Sequence, residues 1–227
     1  MHSGPSQRII PVLYEDESYI VFDKPAGVLV IPAPGETRQT LVDIVNRQHA
    51  PAQGWKLHPC HRLDRETSGA IIFAKGKGPQ QAMMDLFHKK AVTKKYIAFV
   101  QGRLRQRQGE LRSAIRDLDQ VKFHRVAPAK PSVTRYKVIE ERKAFSIVEV
   151  MPVTGRTNQI RIQFAEIGSP LVGERKYARG KDYKLRFRRV ALHAYALGWE
   201  HPVSHKKINV TAKLHQDMED FIARNGN

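Results

Sequence analysis

The densest group of potentially reactive side chains in the sequence is His61-Arg62-Leu63-Asp64-Arg65-Glu66-Thr67-Ser68-Gly69, which runs straight into the apolar stretch Ala70-Ile71-Ile72-Phe73-Ala74. Polar groups concentrated beside a buried strand need partners or a job. The chemistry on offer is that of an ionised carboxylate among cations, the form in which Asp takes part in bond cleavage at a carbon centre. Taken alone, Asp64 reads better as a salt-bridge partner of Arg62 or Arg65 than as a catalytic group. Other constellations lead nowhere. His58, Cys60 and His61 are close enough to suggest metal ligands, but no second cluster at zinc-site spacing accompanies them. No GxxxxGK(S/T) loop occurs, Gly76 and Gly78 lack the third glycine of a dinucleotide turn, and a GxSxG elbow is absent. Pro202 breaks any helix that would align His201 with His205, so both read as loop histidines.

A reactive cluster must be held in place by regular elements. Short runs rich in β-branched and aromatic residues predict strands at 18–22, 70–74, 96–100, 133–140, 145–151 and 190–197. Thr134, Tyr136 and Val138 alternate with Arg135 and Lys137, the period-two mark of a strand with one buried face. Thr40 and Asp43 resemble a capping box opening a helix to about Gln48. Met83, Leu86 and Phe87 share one face of a helix from about Pro79. Ile160, Phe164 and Ile167 share a face in another from about Thr157, and Leu214, Met218, Phe221 and Ile222 mark a C-terminal helix. Strands outnumber helices and do not alternate regularly with them, which predicts an α+β fold on a mixed, largely antiparallel sheet with flanking helices. No repeat, low-complexity tract or Gly/Ser linker marks a boundary. Residues 1–227 are therefore expected to form one domain, with about 1–8 as a flexible tail.

The chain of 227 residues carries 39 Lys+Arg against 22 Asp+Glu, a net charge of +17. Such an excess favours a polyanionic partner, because each cation docked on a phosphate releases a condensed counterion. Seven Lys/Arg and no acid fall within residues 88–109. Eight basic residues and one acid, Asp182, fall within 175–189, interleaved with Tyr177, Tyr183 and Phe187. This mixture suits gripping phosphates while stacking on unpaired bases, so nucleic acid is the expected partner. Lys89, Lys90, Lys94 and Lys95 in the first run, and Arg175, Lys176 and Arg186 in the second, are the expected backbone contacts. No basic amphipathic helix with a Trp/Leu/Phe face argues for a membrane surface. The 41% apolar residues suffice for a core and exclude disorder for the bulk of the chain. A single cysteine, Cys60, excludes an intramolecular disulfide framework. With no stretch approaching 18 apolar residues and no signal-peptide start, a soluble, cytoplasmic and monomeric protein is expected.

Five ordered blocks carry a family resemblance. His61-Arg62-Leu63-Asp64, then Thr67-Ser68-Gly69, matches the His-Arg-Leu-Asp-x-x-Thr-Ser-Gly catalytic motif of the RluA-type pseudouridine synthases, which isomerise uridine to pseudouridine in structured RNA. Asp23-Lys24-Pro25-Ala26-Gly27 resembles that family's early Lys-Pro-x-Gly strand end. Lys95-Tyr96-Ile97-Ala98-Phe99-Val100-Gln101-Gly102 is similar to the strand carrying its active-site tyrosine. Thr154-Gly155-Arg156-Thr157-Asn158-Gln159-Ile160-Arg161 resembles its Thr-Gly-Arg-Thr-His-Gln-Ile-Arg block, followed by Gly168-Ser169-Pro170-Leu171-Val172-Gly173. Ala191-Leu192-His193-Ala194 and His201-Pro202 resemble its C-terminal signature. Asn158 and Ser169 stand where the family has His. The resemblance spans about Ile9 to Thr211 and is to a short form without an S4-type RNA-binding domain, which leaves RNA selection to the basic loops of the catalytic domain.

The resemblance implies a pseudouridine synthase fold with a central RNA-binding cleft, RNA rather than DNA as partner, and no cofactor. It implies that Asp64 cleaves the C1′–N1 bond, by attack on C1′ or by removal of a 2′ proton, with Arg161 as the cation beside it and Tyr96 stacked on the uracil and helping to remove the C5 proton. The substrate-binding positions it implies are Arg62, His61, Leu192, Ile160 and Thr67, with Arg62 filling the space of a flipped-out nucleotide. His61 and Cys60 are expected chiefly to brace the loop. Such an enzyme would act on rRNA or tRNA stem-loops. The competing expectation is a non-catalytic RNA-binding or ribosome-assembly factor of the same fold.

Overall fold

The computed structural model describes residues 9–33, 35–49, 54–116, 128–178 and 185–226, so the N-terminal tail lies outside the described residues. The strands β1 (Val12–Glu15), β2 (Tyr19–Lys24), β3 (Leu57–Pro59), β4 (Ser68–Lys75), β5 (Thr93–Gln101), β6 (Gln108–Ile115), β7 (Lys130–Glu141), β8 (Phe145–Pro152), β9 (Leu192–Glu200) and β10 (Lys207–Thr211) join in a single sheet. Its order is β1-β2-β4-β9-β5-β8-β7-β6, with β3 added to β4 and β10 to β9. Among the described residues every pairing of named strands is antiparallel except a two-residue parallel contact of β4 with β9, Ser68 opposite His193 and Gly69 opposite Ala194. The mixed, largely antiparallel α+β fold expected from the sequence is present.

That parallel contact joins two half-sheets, and it needs a glycine. Gly69 has φ +104°, and a Cβ there would stand 2.3 Å from the Ala194 carbonyl oxygen. Only a residue without a side chain allows both the backbone angle and the approach. The chain therefore passes from the polar 61–67 segment directly into the seam between the halves.

Helices cover both faces. Leu41 and Val45 of α1 (Leu41–His49) pack with Ile20, Phe22, Ile71 and Phe73, while Ile160 and Phe164 of α3 (Gln159–Glu166) pack with Ala98, Tyr136, Val148 and Val150. Ala194 belongs to the first cluster and Leu192 to the second; two apart on β9, they place both clusters on one face. Met83 of α2 (Lys77–His88), and Met218 and Phe221 of α4 (Gln216–Asn225), belong to two further clusters with the residues of alternate parity. No helix among the described residues is long and apolar enough to cross a membrane.

The differences from expectation have local causes. The six expected strands form, while β1, β3, β6 and β10, which are short or carry polar outer faces, were not anticipated. The Thr40–Asp43 box closes as predicted, with the Thr40 N–H 2.9 Å from Asp43 Oδ2 and the Asp43 N–H 3.3 Å from Thr40 Oγ1. The third helix starts at Gln159, because Asn158 adopts φ 54° and turns the chain before it. Ile167 lies past the end of that helix and is 46% exposed, so it does not share the buried face. Leu214 likewise precedes the last helix.

Candidate active site

The segment that carries Asp64 is stitched to its surroundings through almost every backbone group. The Cys60 N–H donates to Ile72 O, and the Ile72 N–H donates back to His61 Nε2 at 3.1 Å. Asp64 O accepts from the Thr67 N–H, and Arg65 O accepts from the Gly27 N–H. Lys24, with no exposed surface, donates to Pro25 O, Arg65 O and Thr67 O at 3.0, 3.2 and 2.8 Å. Arg189 donates to Glu66 O at 3.2 Å, and Glu66 Oε2 accepts from the Val190 N–H at 3.3 Å. Leu63 inserts into the core below. A loop whose four carbonyls from 64 to 67 are all accounted for has no freedom to drift.

Behind the loop, Ser68 Oγ lies 2.9 Å from His193 Nδ1, and His193 Nε2 lies 3.2 Å from Ala212 O. A carbonyl only accepts, so Nε2 carries the proton and Nδ1 accepts from the hydroxyl. Burial pushes the His193 pKa down to about 4, which keeps this strut neutral.

Asp64 opens into a cleft of about 740 Å³ along the seam. Its lining includes His61, Arg62, Thr67, Tyr96, Ile160 and Leu192. Tyr96 packs against the clusters of both half-sheets, and the alternation of β5 turns it away from Ile97 and Phe99, which belong to the opposite face. Arg161 stands behind the lining. Its Nε and Nη2 meet Glu174 Oε2 and Oε1 at 2.6 and 2.9 Å, and its Nη1 donates to Asn158 Oδ1 at 3.0 Å. The Glu174 side chain is fully buried and also accepts the Lys176 and Tyr177 N–H groups. Burial opposes ionisation of Glu174, but Arg161 outweighs it and holds the carboxyl below its usual range.

Burial raises the Asp64 pKa, and the charges of Arg161, Arg62 and Lys24 with the Asn158 backbone N–H oppose the rise without cancelling it. Arg161, the cation expected beside Asp64, is the first of the charges that oppose the rise, while its guanidinium is itself paired with Glu174. Burial, then the Asp64 charge, raises the Tyr96 pKa, so the phenol stays neutral. His61 is driven down to about 3 by burial, with Lys94 adding to the effect. It accepts the Ile72 N–H, and its ring lies against Phe87 at 4.8 Å between centroids with the planes tilted by 39°. Among the described residues no cluster of side chains is suited to hold a metal.

The expected RNA contacts divide. Lys90 and Lys94 line the cleft and Lys89 is exposed beside it. Lys95 alternates with Tyr96 on β5, and its ammonium sits 3.2 Å from Glu149. Arg175, Lys176 and Arg186 are exposed and do not line the cleft. Residues 179–184 of the second basic run, with Tyr183, lie outside the described residues. Two members of that run are core instead: Arg189 is bound to Asp217 at 2.6 Å, and Phe187 packs on Phe221. Sequence reasoning gave no role to Lys24, Glu174, Gln159 or Arg156. Gln159 shapes the 154–159 turn, accepting from Thr154 Oγ1 and the Arg156 N–H while donating to Val133 O and Thr134 Oγ1. The signal for Lys24, Arg156 and Gln159 was their place inside family blocks, whereas Glu174 lies one residue past such a block. Asn158, in place of the family's His, bridges Tyr177 Oη at 3.1 Å and Arg161, and Asn tolerates its left-handed backbone. Ser169 is half-buried just past α3, where its N–H donates to Phe164 O.

Comparison with known proteins matches residues 18–166 to the RNA pseudouridylate synthase family. The uncharacterized RNA pseudouridine synthase YlyB of Bacillus subtilis is 34% identical over 219 residues, 94% of this chain and 72% of that protein. The dual-specificity RNA pseudouridine synthase RluA of Vibrio cholerae is 34% identical over 234 residues, 97% of this chain and 90% of that one. The solved structure of human RNA pseudouridylate synthase domain containing 4 shares the fold, with TM-score 0.78, 23% identity and coverage of 95% and 92%. The matched region holds Asp64, Tyr96 and Arg161, and the chain belongs to the RNA pseudouridylate synthase family: it is an isomerase that converts uridine to pseudouridine in RNA.

Proposed function

We propose that the cleft acts on uridines flipped out of rRNA or tRNA stem-loops, with Asp64 as the catalytic carboxylate. The observation that carries this reading is the convergence of Asp64, Tyr96 and Leu192 on one cleft, with the fixed Arg161–Glu174 pair behind it. Isomerisation breaks C1′–N1, turns the uracil and forms C5–C1′, with no change in mass or redox state. An ionised Asp64 would begin it, either by attack on C1′ or by removing the 2′ proton. Bond breaking leaves negative charge on the uracil, and the cations that act on Asp64, Arg161 and Arg62 first among them, would offset it. After C5 joins C1′, the C5 proton must leave. A neutral Tyr96 phenol suits stacking on the base and handing on a proton, not acting as a phenolate base.

Uridine within a stem cannot reach this depth, so the nucleotide flips, at a cost on the order of a few kcal/mol in lost stacking. Arg62, more exposed than its neighbours and 3.1 Å from Thr157 Oγ1, is positioned to fill the gap. Lys89, Lys90, Arg175, Lys176 and Arg186 would contact phosphates; Lys95, tied to Glu149, would not. His61 would act as a brace. The names of the relatives, among them ribosomal large subunit pseudouridine synthase D of Zymomonas mobilis at 32% identity, favour ribosomal RNA. The reading takes the enzyme as a monomer formed as a single catalytic domain, with a cytoplasmic location that suits its substrate. The test is incubation with unmodified rRNA and tRNA transcripts, followed by carbodiimide mapping of pseudouridine. New reverse-transcription stops at one or a few loop uridines support the reading. Stops scattered through stems, or none in either RNA, contradict it.

A further inference from the structure

Among the described residues, Lys94 and Arg156 are half-buried cations that line the cleft without an ion pair, whereas Lys90, which also lines it, is exposed. Lys94 lies two residues before Tyr96 on β5, and burial lowers its pKa. Its ammonium makes no ion pair among the described residues; the Phe87 ring centroid is 6.0 Å away. The Nζ atom is 3.8 Å from the point where a Cβ on Gly155 would stand, so it rests against the backbone one residue before Arg156. The Arg156 side chain also lines the cleft, and its Nε is buried with no hydrogen-bond partner. Other cleft arginines are occupied: Arg135 by Glu110 at 3.1 Å and Arg62 by Thr157.

Partly desolvated cations without partners are unfavourable and attract an anion. A planar guanidinium and a compact ammonium that line one cleft suit a tetrahedral oxyanion: the fork can take two oxygens while the point charge neutralises the group. We propose that Lys94 and Arg156 form a subsite for one phosphodiester of the RNA strand, next to the uridine that enters the cleft. This rests on the uridine-isomerase reading and deepens it. It distinguishes these two residues, which would fix the register of the reacting nucleotide, from the exposed lysines, which attract RNA without fixing it.

The test uses the full chain and uridine 3′,5′-bisphosphate, with binding followed by phosphorus NMR titration. Lys94→Gln and Arg156→Gln should each weaken binding about tenfold, the loss expected for one charge-assisted hydrogen bond. The double variant should lose less than the product of the two, because both residues hold one phosphate. Unphosphorylated uridine should bind all four proteins alike, and Arg105→Gln, on an exposed loop, should bind the bisphosphate as the wild type does. The subsite is overturned if either single variant binds normally, if the wild type does not bind the probe, or if Arg105→Gln loses as much. Inorganic phosphate binding as tightly as the bisphosphate would overturn the assignment to RNA in favour of a free-ion site. Tritium release from uracil-labelled RNA is read alongside. An active enzyme whose variants bind the probe normally overturns the subsite alone, whereas an inactive wild type whose probe binding depends on both residues overturns the isomerase reading and leaves the anion site standing.

Discussion

The loop bearing Asp64 and the basic segments beside it are held by opposite means. Residues 60–67 are fixed by buried Lys24 and Arg189, by the neutral His61, and by backbone bonds to Gly27 and Ile72. Lys89, Lys90, Arg175, Lys176 and Arg186 are exposed. The contrast separates two tasks. Chemistry at C1′ needs a carboxylate whose position and protonation are set before substrate arrives, whereas gripping a flexible polyanion needs charges that can adapt. Positive charge therefore has two settings in one chain: inside, it ties carbonyls and buried carboxylates, and outside it is exposed, where we propose that it gathers RNA.

The sharpest way to break the fixed half is at Arg161. Arg161→Met should cut activity by at least about a thousandfold, since it removes the stabilising charge behind the cleft. It should also cost about 3–5 kcal/mol by leaving the buried Glu174 carboxylate unpaired. Combining it with Glu174→Leu should restore most of the stability in urea unfolding but none of the activity. Recovery of both would reduce Arg161 to a structural role. Gly69→Ala comes next. It forces a side chain into the Ala194 carbonyl at a left-handed position, and should cost on the order of 3 kcal/mol, or about 6–12 °C in melting temperature. An unchanged melting temperature would mean that the seam is soft.

Protonation gives a smaller effect with a definite sign. The folded-state pKa of Asp64 is raised, so the ionised carboxylate is penalised in the native state. That cost is fully present above the folded pKa and vanishes below the unfolded one. Asp64→Asn should therefore raise the melting temperature at pH 7, and the gain should shrink as the pH falls. With Asp64 in the proposed role of ionised catalytic carboxylate, turnover by the wild type should fall as the pH drops, through a midpoint above the ordinary aspartate value. The adaptable half shows the smallest change: Lys89→Ala and Lys90→Ala should each reduce the salt slope of RNA binding by about 0.7–0.9 and leave stability unchanged. An unaltered slope would remove these lysines from the RNA face.

How much of this was legible in the sequence follows the same division. Asp64, Tyr96 and Leu192 were legible through the resemblance of their blocks to a known family, since the dense polar block alone marked Asp64 only as a salt-bridge partner, and the strands through 70–74 and 96–100 are apolar enough to be read directly. Lys24, Arg189 and Glu174 were not legible as struts. A buried ion pair looks, in sequence, like any surface charge, and the partners of Arg161 and Arg189 lie 13 and 28 positions away. Counting charge along 175–189 included Arg189 in a phosphate-gripping run because a run of basic residues does not reveal which member turns inward. Edge strand β6 was missed for a related reason: its outer face carries Gln108, Glu110 and Arg112, which hides the inward Leu111 and Ile115.

The most direct test of Asp64 as the group that isomerises uridine is tritium release from cellular RNA labelled at uracil C5, comparing the wild type with Asp64→Asn at equal RNA occupancy. Release by the wild type, with a loss of at least about ten-thousandfold in the variant and binding within about twofold, is the predicted result. Release by Asp64→Asn at a comparable rate would contradict the assignment.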